Sequence, residues 1–263
     1  MLKPLRVAVL CSRRCPGARD LLSDRARGRS WELAAVLATE EAMADGCVFD
    51  AAEVPVVSHP IRAFYRKRGR PLSDFSVRAE YDERTARLLA PFRPDLLLFS
   101  SYLYVATPAL LDRFGGRVVN IHGSDLEQHG PDGRPKYLGL RAVRDAILAG
   151  ETETRATAHW VTEEVDLGPT ILRSAAFPVS PLVAAALARG DVASVKAYAF
   201  AHQEWMLSEA WGPMWRAVLR MVTGVSLVSL PLPARDALCL PLPLAGEGRG
   251  EGARNAAIAG LSR

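Results

Sequence analysis

The chain has 263 residues but only four cysteines, Cys11, Cys15, Cys47 and Cys239, and no Cys-x-x-Cys pair among them. That spacing excludes a zinc ribbon and a disulfide framework and leaves reduced thiols, as expected in the cytoplasm. No apolar run is long enough to cross a bilayer. The first one stops at Cys11, and no signal-peptide cleavage pattern follows it. Long runs of one charge sign are also missing. Lys and Arg total 33 against 29 Asp and Glu, a formal net charge of +4. Such an excess suits a protein that handles anionic small molecules and lacks the footprint of a nucleic-acid binder. The densest basic cluster, Arg62, Arg66, Lys67, Arg68 and Arg70, reads as a solvated loop. The expectation is a cytoplasmic protein, monomer or homodimer, with no membrane, nucleic-acid or metal partner.

What is present is ample apolar material: 49% of the residues, enough for one sizeable α/β core, or for one domain plus a short appendage. Residues 5–11 and 31–38 read as buried strands, and a short third strand is expected at Val54 to Val57. Residues 59–75 read as an exposed loop and residues 76–89 as an amphipathic helix. Leu96 to Phe99 has the continuous apolar character of a central parallel strand. A short helical turn is expected at 108–113, and a strand from Arg117 to Ile121 ends at His122. A long polar loop over 123–137 precedes a helix from Leu138 to Leu148, which stops at Gly150. Arg155 to Val161 and Thr170 to Ala176 read as two further strands, and the chain beyond Val179 as helix. There Trp205, Trp211 and Trp215 are expected to pack on the sheet. Alternating strands and helices predict an α/β fold with a doubly wound, mostly parallel sheet. From Leu230 the sequence is rich in Leu-Pro and Gly repeats. Residues 1–229 are therefore expected to form the working domain, and 230–263 a disordered low-complexity tail.

Three polar residues stand out. Asn120 and His122 are two apart on one strand, so they share a face, while Val119 and Ile121 point the other way. They lie at the strand's carboxyl end, where open α/β sheets bind ligands. Asp166 lies on a turn shaped by Gly168 and Pro169. Each also has a plainer reading: His122 as a satisfied structural histidine, Asp166 as a solvated loop acid. Brought together, an imidazole and a carboxylate could move a proton near neutral pH, and the amide could hydrogen-bond an oxyanion. His159 reads as structural and His129 as solvated.

Several segments also resemble a known family, in order along the chain. Val118-Val119-Asn120-Ile121-His122-Gly123-Ser124 resembles the Asn-x-His-Pro-Ser signature of the folate-dependent formyltransferases. Asp166-Leu167-Gly168-Pro169-Thr170-Ile171-Leu172 resembles their Asp-x-Gly-Pro-Ile-Ile segment. Tyr137-Leu138-Gly139-Leu140, Thr157-Ala158-His159-Trp160-Val161 and the run from Asp95 to Tyr104 resemble the segments around these. The likeness covers roughly residues 5 to 220 and is nearest to the phosphoribosylglycinamide (glycinamide ribonucleotide) formyltransferases. It implies a Rossmann-like formyltransferase fold and transfer of the formyl group of 10-formyltetrahydrofolate, the co-substrate, to a small-molecule amine. Catalysis would fall to Asn120, His122 and Asp166. The folate would lie against Leu103, Tyr104 and Val105 and against Thr162, Glu163, Glu164 and Val165. Ser12, Arg13, Arg14, Gly17 and Ser124 would meet the acceptor.

The chain departs from this pattern in two places. The family's glycine-rich first loop is replaced by Cys11-Ser12-Arg13-Arg14-Cys15-Pro16-Gly17, where Arg13 and Arg14 could bind an anion by charge instead of by backbone amides. After His122 the family's Pro-Ser-Leu-Leu-Pro becomes Gly123-Ser124-Asp125-Leu126-Glu127-Gln128-His129 with an insertion, so the acceptor can differ. Two alternatives stand beside formyl transfer. One is hydrolysis of 10-formyltetrahydrofolate, disfavoured because such relatives usually carry an N-terminal regulatory domain. The other is a folate- or nucleotide-binding module without catalysis.

Overall fold

The computed structural model describes residues 3–224; the expected tail at 230–263 lies outside them. Along the chain run β1 (Leu5–Cys11), α1 (Ala18–Ser23), β2 (Trp31–Ala38), α2 (Gly46–Asp50), β3 (Val56–Ser58), α3 (Ile61–Arg66), α4 (Phe75–Leu89) and β4 (Leu96–Phe99). Then follow α5 (Pro108–Leu111), β5 (Val118–His122), α6 (Ala142–Leu148), β6 (Glu153–Thr154), β7 (Thr157–Trp160), β8 (Thr170–Arg173), β9 (Phe177–Pro178), α7 (Leu182–Ala188) and α8 (Val192–Thr223).

Seven strands form the main sheet in the order β3-β2-β1-β4-β5-β7-β8. The first five are parallel; β7 runs antiparallel to β5, and β8 antiparallel to β7. The fold is thus the expected mostly parallel α/β sheet. Both faces are covered, which is why β4 is apolar at every position and β1 is apolar beyond Arg6. Val7, Val9, Leu98, Val119 and Ile121 pack with Leu21 of α1, Val143 of α6 and Trp215 of α8. Ala8, Leu10, Leu97, Phe99 and Val118 pack with Leu89 of α4 and Leu110 of α5 on the other face. Burying each such Val or Leu contributes roughly 1.5–3 kcal/mol. Trp211 and Trp215 are buried in the core as expected, and Trp205 packs edge-on against Phe177.

Local chemistry sets the helix ends. Asp74 caps α4 by accepting from the Ser76 N–H at 3.1 Å, and Asp191 caps α8 by accepting from the Ser194 N–H at 3.1 Å. At the far end of α8, Gly224 takes the left-handed conformation (φ 71°) that closes helices. The structure corrects several boundaries. The expected loop at 59–75 contains α3, whose Ile61, Phe64 and Tyr65 bury an apolar side against α4. The third strand lies at 56–58 rather than 54–57, and α6 begins at Ala142 rather than Leu138. The two late strands are shorter than expected. The short α2 and the separate β6–β9 pair carry too few residues to show a period.

Strand order reverses between β1 and β4, so the loops leaving these strands diverge at the sheet's carboxyl edge. Ligands enter open α/β sheets at such a point. β5 ends on the same edge, carrying Asn120 and His122 toward the α4 and α5 side.

Candidate active site

Three pieces of chain meet beside the end of β5. Antiparallel pairing with β7 sets Asn120 opposite His159 and His122 opposite Thr157, so all four side chains share one face. The chain then turns back through 161–169, where the Trp160 N–H donates to the Pro169 carbonyl at 3.0 Å. Gly168 sits so close beneath the Trp160 carbonyl that a Cβ would overlap its oxygen. Asp166 adopts a left-handed conformation (φ 56°), which Asp tolerates better than most residues, and its carboxylate is aimed at β5.

His122 Nδ1 and Asp166 Oδ2 are 3.3 Å apart, with both side chains about nine-tenths buried. The plainer reading of Asp166 as a solvated acid therefore fails. His122 Nε2 lies 3.1 Å from the Tyr137 carbonyl, which can only accept, so Nε2 carries a hydrogen. Nδ1 on the other side of the ring faces the Asp166 carboxylate. Asp166 Oδ2 also accepts the Gly139 N–H at 2.9 Å.

His159 completes the cluster. Its Nδ1 lies 3.0 Å from the Trp160 carbonyl and therefore donates there. Its Nε2 is left as an acceptor for the Asn120 Nδ2, 3.1 Å away. That bond fixes the amide's orientation and uses one of its two N–H groups; the second remains for a ligand. Burial lowers the His159 pKa against the opposing pull of Asp166, whose Oδ1 is 3.7 Å from Nε2. A neutral His159 is what an acceptor at Nε2 requires. His159 is structural, as its sequence context suggests, but it orients Asn120, a role that depends on the β5–β7 register. The Tyr137 carbonyl and Gly139 amide act through the backbone, so the family-like segment Tyr137-Leu138-Gly139-Leu140 carries no side-chain sign of these contacts.

The other expected binding residues divide. Leu103, Thr162, Glu163, Glu164 and Val165 are exposed, and Tyr104 and Val105 half-buried. The Leu103 N–H, expected to face a ligand, instead donates to Ser12 Oγ at 3.2 Å. Ser12 is fully buried and also accepts from Thr39 Oγ1 at 2.9 Å. Contrary to expectation, it ties the first loop to its neighbours and offers a ligand no surface. Ser124 is likewise buried and donates to the Tyr137 carbonyl at 2.6 Å, holding the inserted loop. Arg14 is paired with Glu204 of α8, with Nη2 2.6 Å from Oε1, and this bond raises its pKa. Its charge is therefore partnered rather than free. Gly17 (φ 79°) packs against the backbone of Gly212 and has no room for a side chain. Arg13 alone of this group is an exposed cation. His129 is exposed, its Nδ1 2.8 Å from the Glu127 carbonyl.

Among the described residues no group of three or more His, Cys, Asp or Glu is arranged to hold a metal. No described helix is long and apolar enough to cross a membrane. A buried imidazole–carboxylate pair and an oriented amide donor can together stabilise an oxyanion and move a proton.

The family model described as formyl transferase matches residues 5–184. Phosphoribosylglycinamide formyltransferase of Haemophilus influenzae is 36% identical over 122 residues, 46% of this chain and 50% of that protein. A formyltetrahydrofolate deformylase of Escherichia coli is 32% identical over 97 residues, 37% of this chain and 32% of that protein. The chain thus spans about half the length, or less, of these curated relatives. The crystal structure of glycinamide ribonucleotide transformylase 1 from Symbiobacterium toebii superposes with a TM-score of 0.56 at 25% identity, covering 78% of this chain and 89% of that one.

Proposed function

This chain belongs to the formyl transferase family, and on that premise we propose that it transfers the formyl group of 10-formyltetrahydrofolate to a small amine, of the glycinamide ribonucleotide type or related to it. The observation that carries the reading is the 3.3 Å approach of His122 and Asp166, 44 positions apart in sequence, beside an amide whose second N–H is free.

In this reading the acceptor's amine nitrogen attacks the formyl carbon, and the carbonyl π pair moves onto oxygen. The oxyanion takes the free Asn120 N–H and the His122 Nε2–H, displacing the Tyr137 carbonyl from the ring. Preorganised donors of this kind typically supply about 10²–10³ in rate each. Collapse of the tetrahedral intermediate breaks the bond to N10 of the folate. The proton lost by the attacking amine is taken up through Asp166 and water, and N10 gains one, so charge balances. Asp166 holds the ring through Nδ1 and stabilises its charge.

Water could attack in place of the amine. The likeness to a deformylase supports this second reading. An acceptor panel separates the two: release of tetrahydrofolate is measured with and without amines, with His122→Ala as control. Amine-dependent release supports transfer, and release without amine supports hydrolysis. No release with any acceptor, together with no folate binding, overturns both.

A further inference from the structure

Two backbone groups hold the His122–Asp166 pair: the Tyr137 carbonyl on His122 and the Gly139 amide on Asp166. Both come from a stretch with no core of its own. No described residue from 127 to 141 is buried; Leu126 and Ala142 are the buried residues on either side. Little apolar packing therefore fixes where this stretch lies. It first closes on itself. The Lys136 N–H donates to the Gln128 carbonyl at 2.8 Å, and the Gly130 N–H to the Arg134 carbonyl at 2.7 Å. The closed loop must then be tied to the rest of the protein by polar bonds.

One side chain outside the stretch supplies most of those ties. Glu151 Oε1 accepts from Gln128 Nε2 at 3.0 Å, from Lys136 Nζ at 3.2 Å and from the Tyr137 hydroxyl at 2.9 Å. Both arms of the loop, and the residue whose carbonyl faces His122, thus meet on one oxygen. The Ser124 hydroxyl adds a further bond, to the Tyr137 carbonyl at 2.6 Å. Glu151 is itself anchored. Gly150 (φ 88°) turns the chain out of α6, and the Glu151 N–H donates back to the Ala146 carbonyl at 3.1 Å. Ala146 and Ile147 are buried, and β6, which follows, pairs with β9. The carboxylate stands at a recess of about 270 Å³ that Gln128 and Tyr137 line with it. Burial alone would raise its pKa; the bonds from Gln128, Tyr137 and Lys136 outweigh that and hold it below the ordinary carboxylate range. Glu151 is therefore ionised at neutral pH, and its bonds are of the stronger, charge-assisted kind.

We propose that Glu151 is a positioning residue of the formyl-transfer site: by gathering Gln128, Lys136 and Tyr137 on one carboxylate oxygen, it sets the Tyr137–Gly139 backbone at hydrogen-bonding distance from His122 and Asp166. It acts through that backbone rather than on the substrate. The Tyr137 carbonyl holds the ring until the oxyanion takes its place, and the Gly139 amide keeps the carboxylate aimed throughout. The kinetic part of the proposal rests on the formyl-transfer reading; the placement of the ring does not.

E151A removes the acceptor, and E151Q keeps an oxygen at similar reach. E153A, which removes the next acid along the chain, paired with Arg155 instead, is the control. Proton–nitrogen NMR of protein carrying isotope-labelled histidine, with the signal assigned by its loss in H122N, reads exchange of the His122 Nε2 hydrogen with water in the absence of any ligand. Exchange is expected to be about tenfold faster in E151A and at the wild-type rate in E151Q and E153A. In steady-state kinetics, E151A is expected to lower kcat by roughly 10- to 100-fold at unchanged KM, the effect of displacing reacting groups by a fraction of an ångström, and E151Q to recover most of it. Should E151A not fold, Y137F, which removes the hydroxyl donor and leaves the backbone carbonyl, carries both measurements. Unchanged exchange at His122 overturns the proposal. So does faster exchange with unchanged kcat, a change confined to KM, or a loss that Gln does not restore. A wild type that turns over no acceptor removes the formyl-transfer reading, and exchange at His122 then decides alone whether Glu151 positions the ring.

Discussion

The imidazole of His122 and the carboxylate of Asp166 stand 3.3 Å apart in a pocket that admits almost no solvent to either. Each faces the other, and each is also fixed by the segment before α6, His122 through the Tyr137 carbonyl and Asp166 through the Gly139 amide. Removing one partner strands the other. We expect H122A and D166N each to lower kcat by about 10²–10⁴. Because the two act as a unit, the double variant should be little worse than the poorer single one. Steady-state kinetics on the three proteins tests this. Additive losses would mean that the residues work independently.

Asn120 owes its orientation to His159. Without the Nε2 acceptor, the amide can flip and present its oxygen, which repels an oxyanion. H159F should therefore lower kcat about 10²-fold, comparable to loss of one oxyanion donor, with KM for the amine nearly unchanged. H159Q, which restores an acceptor at similar reach, should recover part of the loss. A loss that Gln does not rescue, or a change confined to KM, would reject the positioning role.

Much of this arrangement was legible in the sequence because it rests on short-range rules. The apolar runs at Leu5–Cys11 and Leu96–Phe99 can only be covered strands, and a two-residue step puts Asn120 and His122 on one face. The Asp166–Pro169 turn is written in its Gly and Pro. What escaped depends on long-range register. That β7 runs antiparallel to β5, and so sets His159 against Asn120, follows from pairing between segments about 39 positions apart. Ser12 and Arg14 looked like ligand contacts because they follow β1. Their partners, Leu103, Thr39 and Glu204, arrive from elements whose docking no local pattern reveals. The short α3 was hidden among Arg62, Arg66, Lys67 and Arg68, since charges outnumber the three apolar residues that bury it.

Gly168 is required by the path of its neighbour rather than by its own dihedrals. A Cβ there would collide with the Trp160 carbonyl oxygen, and the same peptide stretch accepts and donates within the turn that aims Asp166. G168A must push β7 and the turn apart. We expect a cost of about 2–3 kcal/mol or more, seen as a lower melting temperature. Activity should be lost even where the variant remains folded, because Asp166 moves with the turn. Wild-type activity in G168A would show that the turn does not position the carboxylate.

Acid should unfold this protein through two histidines that lie outside the site. Burial pulls the pKa of His202 from 6.5 to about 4. It does the same at His59, where Arg84 and Arg68 add to the effect. Unfolded, both rings bind a proton near pH 6.5; folded, they resist until about pH 4. Unfolding therefore takes up protons in that window, and stability falls as pH drops through it. Asp82 opposes them. Burial raises its pKa from 3.8 to about 6 despite its hydrogen bonds from Thr107, so the folded state holds a proton that the unfolded chain has released. Its contribution grows as pH falls from 6 toward 3.8. Each group is worth roughly 3 kcal/mol over its window, so two histidines outweigh one aspartate. The melting temperature should fall between pH 7 and pH 4.5. H202Q, which keeps a polar partner for Thr154 Oγ1, should flatten that fall, and D82N should steepen it. A melting temperature that holds steady or rises on acidification would mean that these rings do not stay neutral in the folded protein.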